Sequence, residues 1–412
     1  MPHRSTRWTN LPARLSSGLR VLLYKTRICF GREATDVIGH GETLRSILHI
    51  GKFYPPYSGG METHVRDLAV RQARAEAVSV VVANSRARAD CSFVEGVEVI
   101  RVPTLGKIAS MPVCPTLPLA IRSRPADIVH LHVPNPGAAL ALLLSKHQGR
   151  LVITHHSDTL NRKLLRKLSQ PFVSAAMKRA SAIIVTSQRY LESSEELAPY
   201  RAKCHVIPLG IETSYFAEAD PQSAAEVRAI YGERIVIAVG RMVPYKGFDV
   251  LIRSMKNVEG KLLLIGSGPQ EEELKALVES EKLGDKVVML GRVDDLRPFY
   301  QASSIFVLPS RTRAEAFGLV QLEAMASGLP VINTTIDSGV QELSIHGETG
   351  LTVVPEDSVA LGHAMQLLLA DEPLRRRLGS AARLRVALEF TADQMASRVL
   401  ALYAQVLSSG LG

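Results

Sequence analysis

The sequence predicts an α/β protein of two successive domains, each a doubly wound, Rossmann-like sheet, facing one another across a deep crevice. Three observations predict it. Short apolar runs of strand length alternate with segments of helical period from about residue 46 to residue 390. Glycine-rich turns follow several of those strands directly, as at Gly51, Gly240, Gly266 and Gly291, which is where phosphate-facing loops sit in such sheets. The length, 412 residues, exceeds what one ordinary core encloses.

Composition narrows the class. Hydrophobic residues make up 46% and charged residues 22%, as in a globular protein in water. No apolar run is long enough to span a bilayer. Cys29, Cys91, Cys114 and Cys204 are scattered without metal-ligand spacing, so neither a disulfide framework nor a zinc site is indicated, and a reducing cytosol fits. The net charge of +9 is unevenly shared. Residues 1–205 hold 29 Lys+Arg against 14 Asp+Glu, and residues 206–412 hold 20 against 26, so the N-terminal half is the one suited to an anionic surface. Within it, residues 1–45 carry eight basic and three acidic residues and no period. Their longest apolar stretch, Val21 to Tyr24, is too short for a secretory signal. They are expected to form a basic, poorly ordered extension, whether a transit peptide, a membrane-touching arm or residues upstream of the true start.

The first domain is expected to open on a strand from Arg45 to Ile50, then the loop Gly51 to Gly60 and a helix over Glu62–Arg74. Gly59 and Gly60 before a helix are either an ordinary turn or a place where backbone amides approach a diphosphate. Strands follow at Val78–Ala83, Val97–Val102, Asp127–His132 and from Leu151 to His155-His156-Ser157-Asp158. Histidines at a strand's carboxyl end point into the ligand crevice; His130 and His132 are expected to be structural. Residues 161–180 form a basic amphipathic helix that Pro171 should kink or divide. Its basic face is either a contact with anionic lipid or an ordinary solvated surface.

A strand at Ala182–Thr186 closes this block, and strand Ile235–Val239 opens the next, delivering Arg241 and Lys246 to one loop. Strand Lys261–Ile265 leads to Gly266, strand Val287–Leu290 to Arg292 and Val293, and strand Ile305–Leu308 to the polar turn Ser310–Arg313. A helix should start near Phe317 or Gly318, with Leu319, Leu322 and Met325 on one face, and stop at Ser327-Gly328 before Pro330. Its unpartnered first amides and dipole can hold a phosphate. Glu315 lies beside that end, and Glu323 follows eight residues later, roughly 12 Å along a helix axis. The last helix is expected over Thr391–Leu407.

Glu315, seven residues and Glu323, with Phe317-Gly-Leu-Val after the first and Ala324-Met-Ala-Ser-Gly-Leu-Pro-Val after the second, resemble the signature of retaining GT-B glycosyltransferases. The family is the large bacterial mannosyltransferase-type one, glycosyltransferase family four or glycosyl transferases group 1. Three further stretches are similar to it: Pro55-Pro-x-x-Gly-Gly-x-Glu, Thr154-x-His-Ser, and Gly240-Arg-x4-Lys-Gly. The resemblance covers about residues 46–410. It implies an acceptor-side domain over 46–205, joined by the returning helix 391–412, and a nucleotide-sugar domain over 206–390, with the Pro208-Leu-Gly-Ile segment as linker.

It also implies roles. Arg241 and Lys246 would clamp the donor diphosphate. Gly59, Gly60, Gly266 and the amides of Phe317, Gly318, Leu319 and Val320 would surround its phosphates. Arg292 and Val293 would meet the base through their backbone, Glu323 the ribose and Glu315 the sugar hydroxyls, while His156 would contact the sugar or the reacting phosphate oxygen. No cofactor is expected, and no metal, since Asp294-Asp295 is not an Asp-x-Asp pair placed to hold one. GDP-mannose is the favoured donor, with UDP-glucose, UDP-galactose or a rhamnosyl donor as alternatives. The acceptor is a saccharide or a lipid-diphosphate-linked glycan, no nucleic-acid partner is expected, and the place is the cytoplasm or the inner face of its membrane. Dehydrogenase chemistry is disfavoured because no loop reads G-x-G-x-x-G with an acid at the usual distance. A GT-B epimerase should show several acidic residues near the anomeric carbon, where Asp158 alone qualifies. A non-catalytic nucleotide-sugar binder is the remaining rival.

Overall fold

A computed structural model of the chain describes residues 45–409 apart from 58, 109–110, 159–162 and 219, with only the backbone of 163–169. Apart from Arg45, the expected basic extension lies outside the described residues, as do the side chains of the first turns of the basic helix.

Two sheets form the scaffold. The first contains β1 (Ser46–Ile50), β2 (Ala77–Ala83), β3 (Asp90–Val94) and β4 (Val97–Val102). After a small hairpin, β5 (Gly106–Ile108) and β6 (Met111–Val113), it is completed by β7 (Ile128–Val133), β8 (Arg150–His155), β9 (Ala182–Val185) and β10 (Cys204–Val206). Its spatial order is β10-β9-β8-β7-β1-β2-β4-β3. Only β3 runs antiparallel to its neighbour. The second sheet comprises β11 (Ile235–Val239), β12 (Lys261–Ile265), β13 (Val287–Gly291), β14 (Ile305–Val307), β15 (Val331–Thr334) and β16 (Gly350–Val353). Its order is β13-β12-β11-β14-β15-β16, parallel throughout. Helices cover both faces of a parallel sheet, so its strands must be apolar on both sides. Accordingly every residue of β7 and of β11 is buried.

Strand order decides where a ligand goes. In the first sheet β1 lies between β7 and β2, and in the second β11 lies between β14 and β12. At such reversals the loops leaving adjacent strands diverge and open a crevice at the carboxyl edge. The loops concerned begin at Gly51 and Gly240, and at the residues following Val133 and Val307.

The chain crosses between sheets twice at one place. Ile211 N donates to Phe390 O at 3.0 Å and Ala392 N to Ile211 O at 2.9 Å. The helix Ala392–Ser408 then returns onto the first sheet, where Tyr403 Oη lies 2.5 Å from His130 Nδ1, and Arg71 Nε donates to Asp393 at 2.9 Å.

Several expected elements are shifted or corrected. The first helix spans Gly60–Gln72 rather than Glu62–Arg74, because Gly60 already takes the first helical position. Pro171 does not divide its segment: one helix runs Lys163–Arg179, with Pro171 exposed while Val173, Ala176 and Met177 pack into the core of the first domain. A proline on the solvent side removes a hydrogen bond that water can replace.

Candidate active site

The second sheet builds a buried ion pair at its carboxyl edge. The loop after β11 turns at Gly240 and rises through Pro244–Lys246. Lys246 Nζ lies 2.5 Å from Glu315 Oε2, both side chains being under 10% exposed. Ser310 Oγ donates to the same oxygen at 3.0 Å. Lys246 reaches this point by lying over Gly240, where a Cβ would come within 3.2 Å of its Cε and Nζ. Gly266 packs its Cα against Gly240 in turn: a Cβ there would lie 1.9 Å from Gly240 O, and its φ is 136°. The loops are tied together by Gly240 N to Ile265 O at 2.9 Å and Gly266 N to Gly291 O at 2.7 Å. Taking a lysine out of water requires a partner charge, and Glu315 is that partner.

Gly318, with φ 83°, caps the helix Leu319–Ala326 without a side-chain cap. The first amides of that helix therefore carry unspent donor capacity and the positive end of its dipole. Across the crevice stands Gly60, whose missing Cβ would lie 3.5 Å from Leu319 Cδ1. Gly59 precedes it in extended conformation, with Glu62 Oε2 folded back 2.3 Å from where its Cβ would be. Phe317 is buried beneath the helix start, while Leu319 and Val320 are half-buried and pack against the main core.

Lys52 is a site residue that the sequence reading missed. It follows β1 and stacks on Phe53 at 5.8 Å, as Lys107 does. Its pKa is lowered, first by burial and then by the positive charges of Arg241 and Lys107, against which Glu62 works. Arg241 itself is exposed, and among the described residues no carboxylate pairs with it. Cations from both domains thus face one another with less than balancing negative charge, the condition that favours an anionic ligand. The signal for Lys52 was its place immediately after Gly51 at the β1 switch point.

At the other end of the short helix, Tyr300 Oη donates to Glu323 Oε2 at 2.9 Å. One edge of Glu323 reaches solvent, but desolvation from all other sides pushes its pKa up to about 7; the Tyr300 bond opposes the rise and the nearby Asp67 charge adds to it. Val293 packs against the same core cluster, whereas Arg292 beside it is exposed.

His156 belongs to a stack of imidazoles on the first domain. His156 Nε2 lies 3.2 Å from His132 Nδ1, His132 Nε2 lies 3.1 Å from His49 Nδ1, and His49 Nε2 lies 2.7 Å from Gln72 Oε1. Burial lowers the pKa of His49 to about 4 and those of His132 and His156 as well, so each ring is neutral and carries one proton. An amide oxygen only accepts, which fixes the chain: His49 donates to Gln72, His132 donates to His49, and His156 Nε2–H donates to His132. His156 Nδ1 is then an unprotonated acceptor. His132 fits the structural expectation, being fully buried and bonded through both ring nitrogens, and by the same bonds it sets the tautomer of His156. His130 bonds Tyr403 and Thr154 and fits the structural expectation.

Asp158 is spent elsewhere. It accepts from Tyr190 at 3.0 Å and Ser194 at 2.6 Å, and it pairs with Arg313 from the second domain at 3.4 Å. Arg313 also donates to Ser193 O, so this carboxylate holds the domains together and is not presented to a sugar. That removes the one acidic residue on which an epimerase reading stood. A cavity of about 450 Å³ is lined by Phe317 together with Thr186, Arg189, Glu342 and Arg385, and none of Lys52, Arg241, Lys246 or Glu315 lines it.

Comparison with known proteins decides the family. Residues 58–215 match the model for Glycosyltransferase Family 4 and residues 222–385 that for Glycosyl transferases group 1. An O-antigen chain mannosyltransferase C from Escherichia coli is 30% identical over 88% of this chain and 99% of its own length. The chain belongs to this glycosyltransferase family. The D-rhamnosyltransferase WbpZ of Pseudomonas aeruginosa is 34% identical to this glycosyltransferase over 65% of the chain and 70% of its own. Sucrose-phosphate synthase from Thermosynechococcus elongatus superposes with a TM-score of 0.75 at 25% identity, covering 89% of this chain and all of that one. The glycosyltransferase therefore has the GT-B fold, and no helix among its described residues is long and apolar enough to cross a membrane.

Proposed function

We propose that the enzyme is a retaining, metal-independent hexosyltransferase that moves mannose from GDP-mannose to a saccharide or lipid-diphosphate-linked acceptor in surface polysaccharide synthesis. The observation that carries this is the convergence of the buried Lys246–Glu315 pair, Arg241 and Lys52 on one crevice beside the start of the Leu319–Ala326 helix. As the anomeric carbon–phosphate bond breaks, a nucleoside diphosphate leaves with growing negative charge. Fixed cations and helix-start amides stabilise that charge where it forms. Glu315 holds the sugar hydroxyls, Gly266 and the Gly59-Gly60 loop leave room for the phosphates, and Arg292 and Val293 border the base. The lone pair of His156 Nδ1 accepts a hydrogen bond from a donor hydroxyl. Retention follows if the departing phosphate oxygen takes the proton of the acceptor hydroxyl on the same face, so no protein nucleophile is invoked.

Mannose is supported by the near full-length match to the O-antigen chain mannosyltransferase; the rhamnosyltransferase match supports a rhamnosyl donor as the second choice. A panel of nucleotide sugars, scored by thermal shift and by release of nucleoside diphosphate, tests the choice. Stabilisation and turnover with GDP-mannose are expected; response to uridine-linked sugars alone overturns the donor assignment, and binding without release overturns catalysis.

Glu323 gives a pH prediction. Its proposed role is to accept bonds from the ribose diol, which only the ionised carboxylate does fully. With a pKa of about 7, deprotonation strengthens binding, so donor affinity should rise about tenfold between pH 6 and pH 8. Glu323→Gln should flatten that profile in calorimetric titrations, and an unchanged slope would separate Glu323 from the ribose.

A further inference from the structure

The imidazole stack contains one member that the hydrogen-bond chain does not use. His64 is 4% exposed, and neither of its ring nitrogens has a partner. A buried imidazole with two unmet polar atoms is costly unless something else binds there. Its ring stands edge-on to His132 at 5.5 Å and to His156 at 4.9 Å between centroids. From these geometries we propose that His64, His132 and His156 form a binding site for a divalent transition-metal ion of the zinc type, whose occupancy withholds His156 from the sugar donor.

One nitrogen from each of the three rings falls within 4.8 Å of the other two. Nitrogen ligands 2.0–2.1 Å from a tetrahedral zinc lie about 3.3 Å apart. His132 Nδ1 and His156 Nε2 are already 3.2 Å apart, so one edge of the tetrahedron exists and His64 has to close the other two by a shift on the order of 1 Å. The supporting contacts are also in place. Because His49 accepts the hydrogen bond of His132 Nε2–H and is itself held by Gln72, the lone pair of His132 is directed to Nδ1, the atom the ion requires. His156 is the partly exposed member, which leaves the fourth position and the entry path on the crevice side. Three neutral nitrogens with no oxygen ligand suit zinc, copper or cobalt and not magnesium or calcium.

The ion and the chain compete for His156 Nε2. To ligate, that nitrogen must give up its proton while Nδ1 takes one up through solvent, so the ring stays a neutral imidazole. His156 Nδ1 then ceases to be the acceptor that faces the donor. This inhibitory half rests on the transfer reading above; the binding half does not.

The test uses the full chain, purified without a polyhistidine tag and stripped with chelator. Titration with zinc chloride should give one ion per chain, and His64→Gln should weaken binding at least tenfold. The cobalt-loaded wild-type protein should show the intense visible bands of tetrahedral coordination, and X-ray absorption of the zinc form should count three imidazoles. These wild-type measurements stand even if the variant folds poorly. Stoichiometric binding unaffected by His64→Gln, fewer than three imidazole ligands, or no binding above background each overturns the site. Zinc should inhibit nucleoside-diphosphate release in the wild type and at least tenfold less potently in His64→Gln. Three-imidazole binding without inhibition overturns the competition for His156.

Discussion

Lys246→Ala is expected to lower kcat/KM for sugar transfer by about two orders of magnitude or more, the scale on which single groups stabilise developing charge in a desolvated site. The effect should fall mainly on kcat, because the charge that Lys246 meets is larger in the transition state than in the bound donor. The variant also has a structural consequence that must be separated. Glu315 loses its partner and keeps only Ser310, while under 10% exposed. Breaking one side of a buried pair costs about 3–5 kcal/mol. The double variant Lys246→Met with Glu315→Gln removes both charges at once, and it should recover most of the melting temperature of the wild type while recovering none of the turnover. Near-normal kcat in a folded Lys246→Ala protein would take this side chain out of leaving-group stabilisation.

What could be read in the sequence follows from how local each signal is. Strands β4, β11 and β12 have the expected bounds because an apolar run bounded by turn residues is a local pattern. Lys246 and Glu315 stand 69 positions apart, and nothing in their spacing announces that they touch; only the resemblance put them at one ligand. Strand β3 escaped because an edge strand, mostly half-exposed, needs no apolar run, and the β5–β6 hairpin because its strands are three residues long. The histidine chain is the clearest case. His49, Gln72, His132 and His156 come from two central strands, one helix and one strand end, and they meet because β1 and β7 are adjacent in the sheet although 78 positions separate their ends. Register, not sequence distance, sets His49 beside His130 and leaves His132 one pleat further on the same face. A lone histidine in a strand pattern carries no trace of that.

Gly266→Ala is expected to destabilise the second domain strongly and to weaken donor binding with it. The position has φ 136°, a region that L residues with a Cβ avoid at a cost of about 1–3 kcal/mol. The new methyl carbon would also meet Gly240 O at 1.9 Å and Gly240 C at 2.9 Å. Those are backbone atoms, so no rotamer change relieves the contact. Relief requires the loops after β11 and β12 to part, which strains Gly240 N to Ile265 O, Gly266 N to Gly291 O and Met242 N to Ser267 O together. Overpacking of this kind adds about 1–3 kcal/mol. A combined cost of about 4 kcal/mol corresponds to a fall in melting temperature of about 10 °C for a domain of this size. The same loops carry Arg241 and Lys246, so donor affinity should fall in parallel. Gly284→Ala, where a Cβ meets nothing within 4 Å, is the control and should melt close to the wild type. If Gly266→Ala melts within about 2 °C of the wild type by scanning calorimetry and binds the donor normally, then the close packing of these two glycine loops is not what holds the diphosphate cations in place.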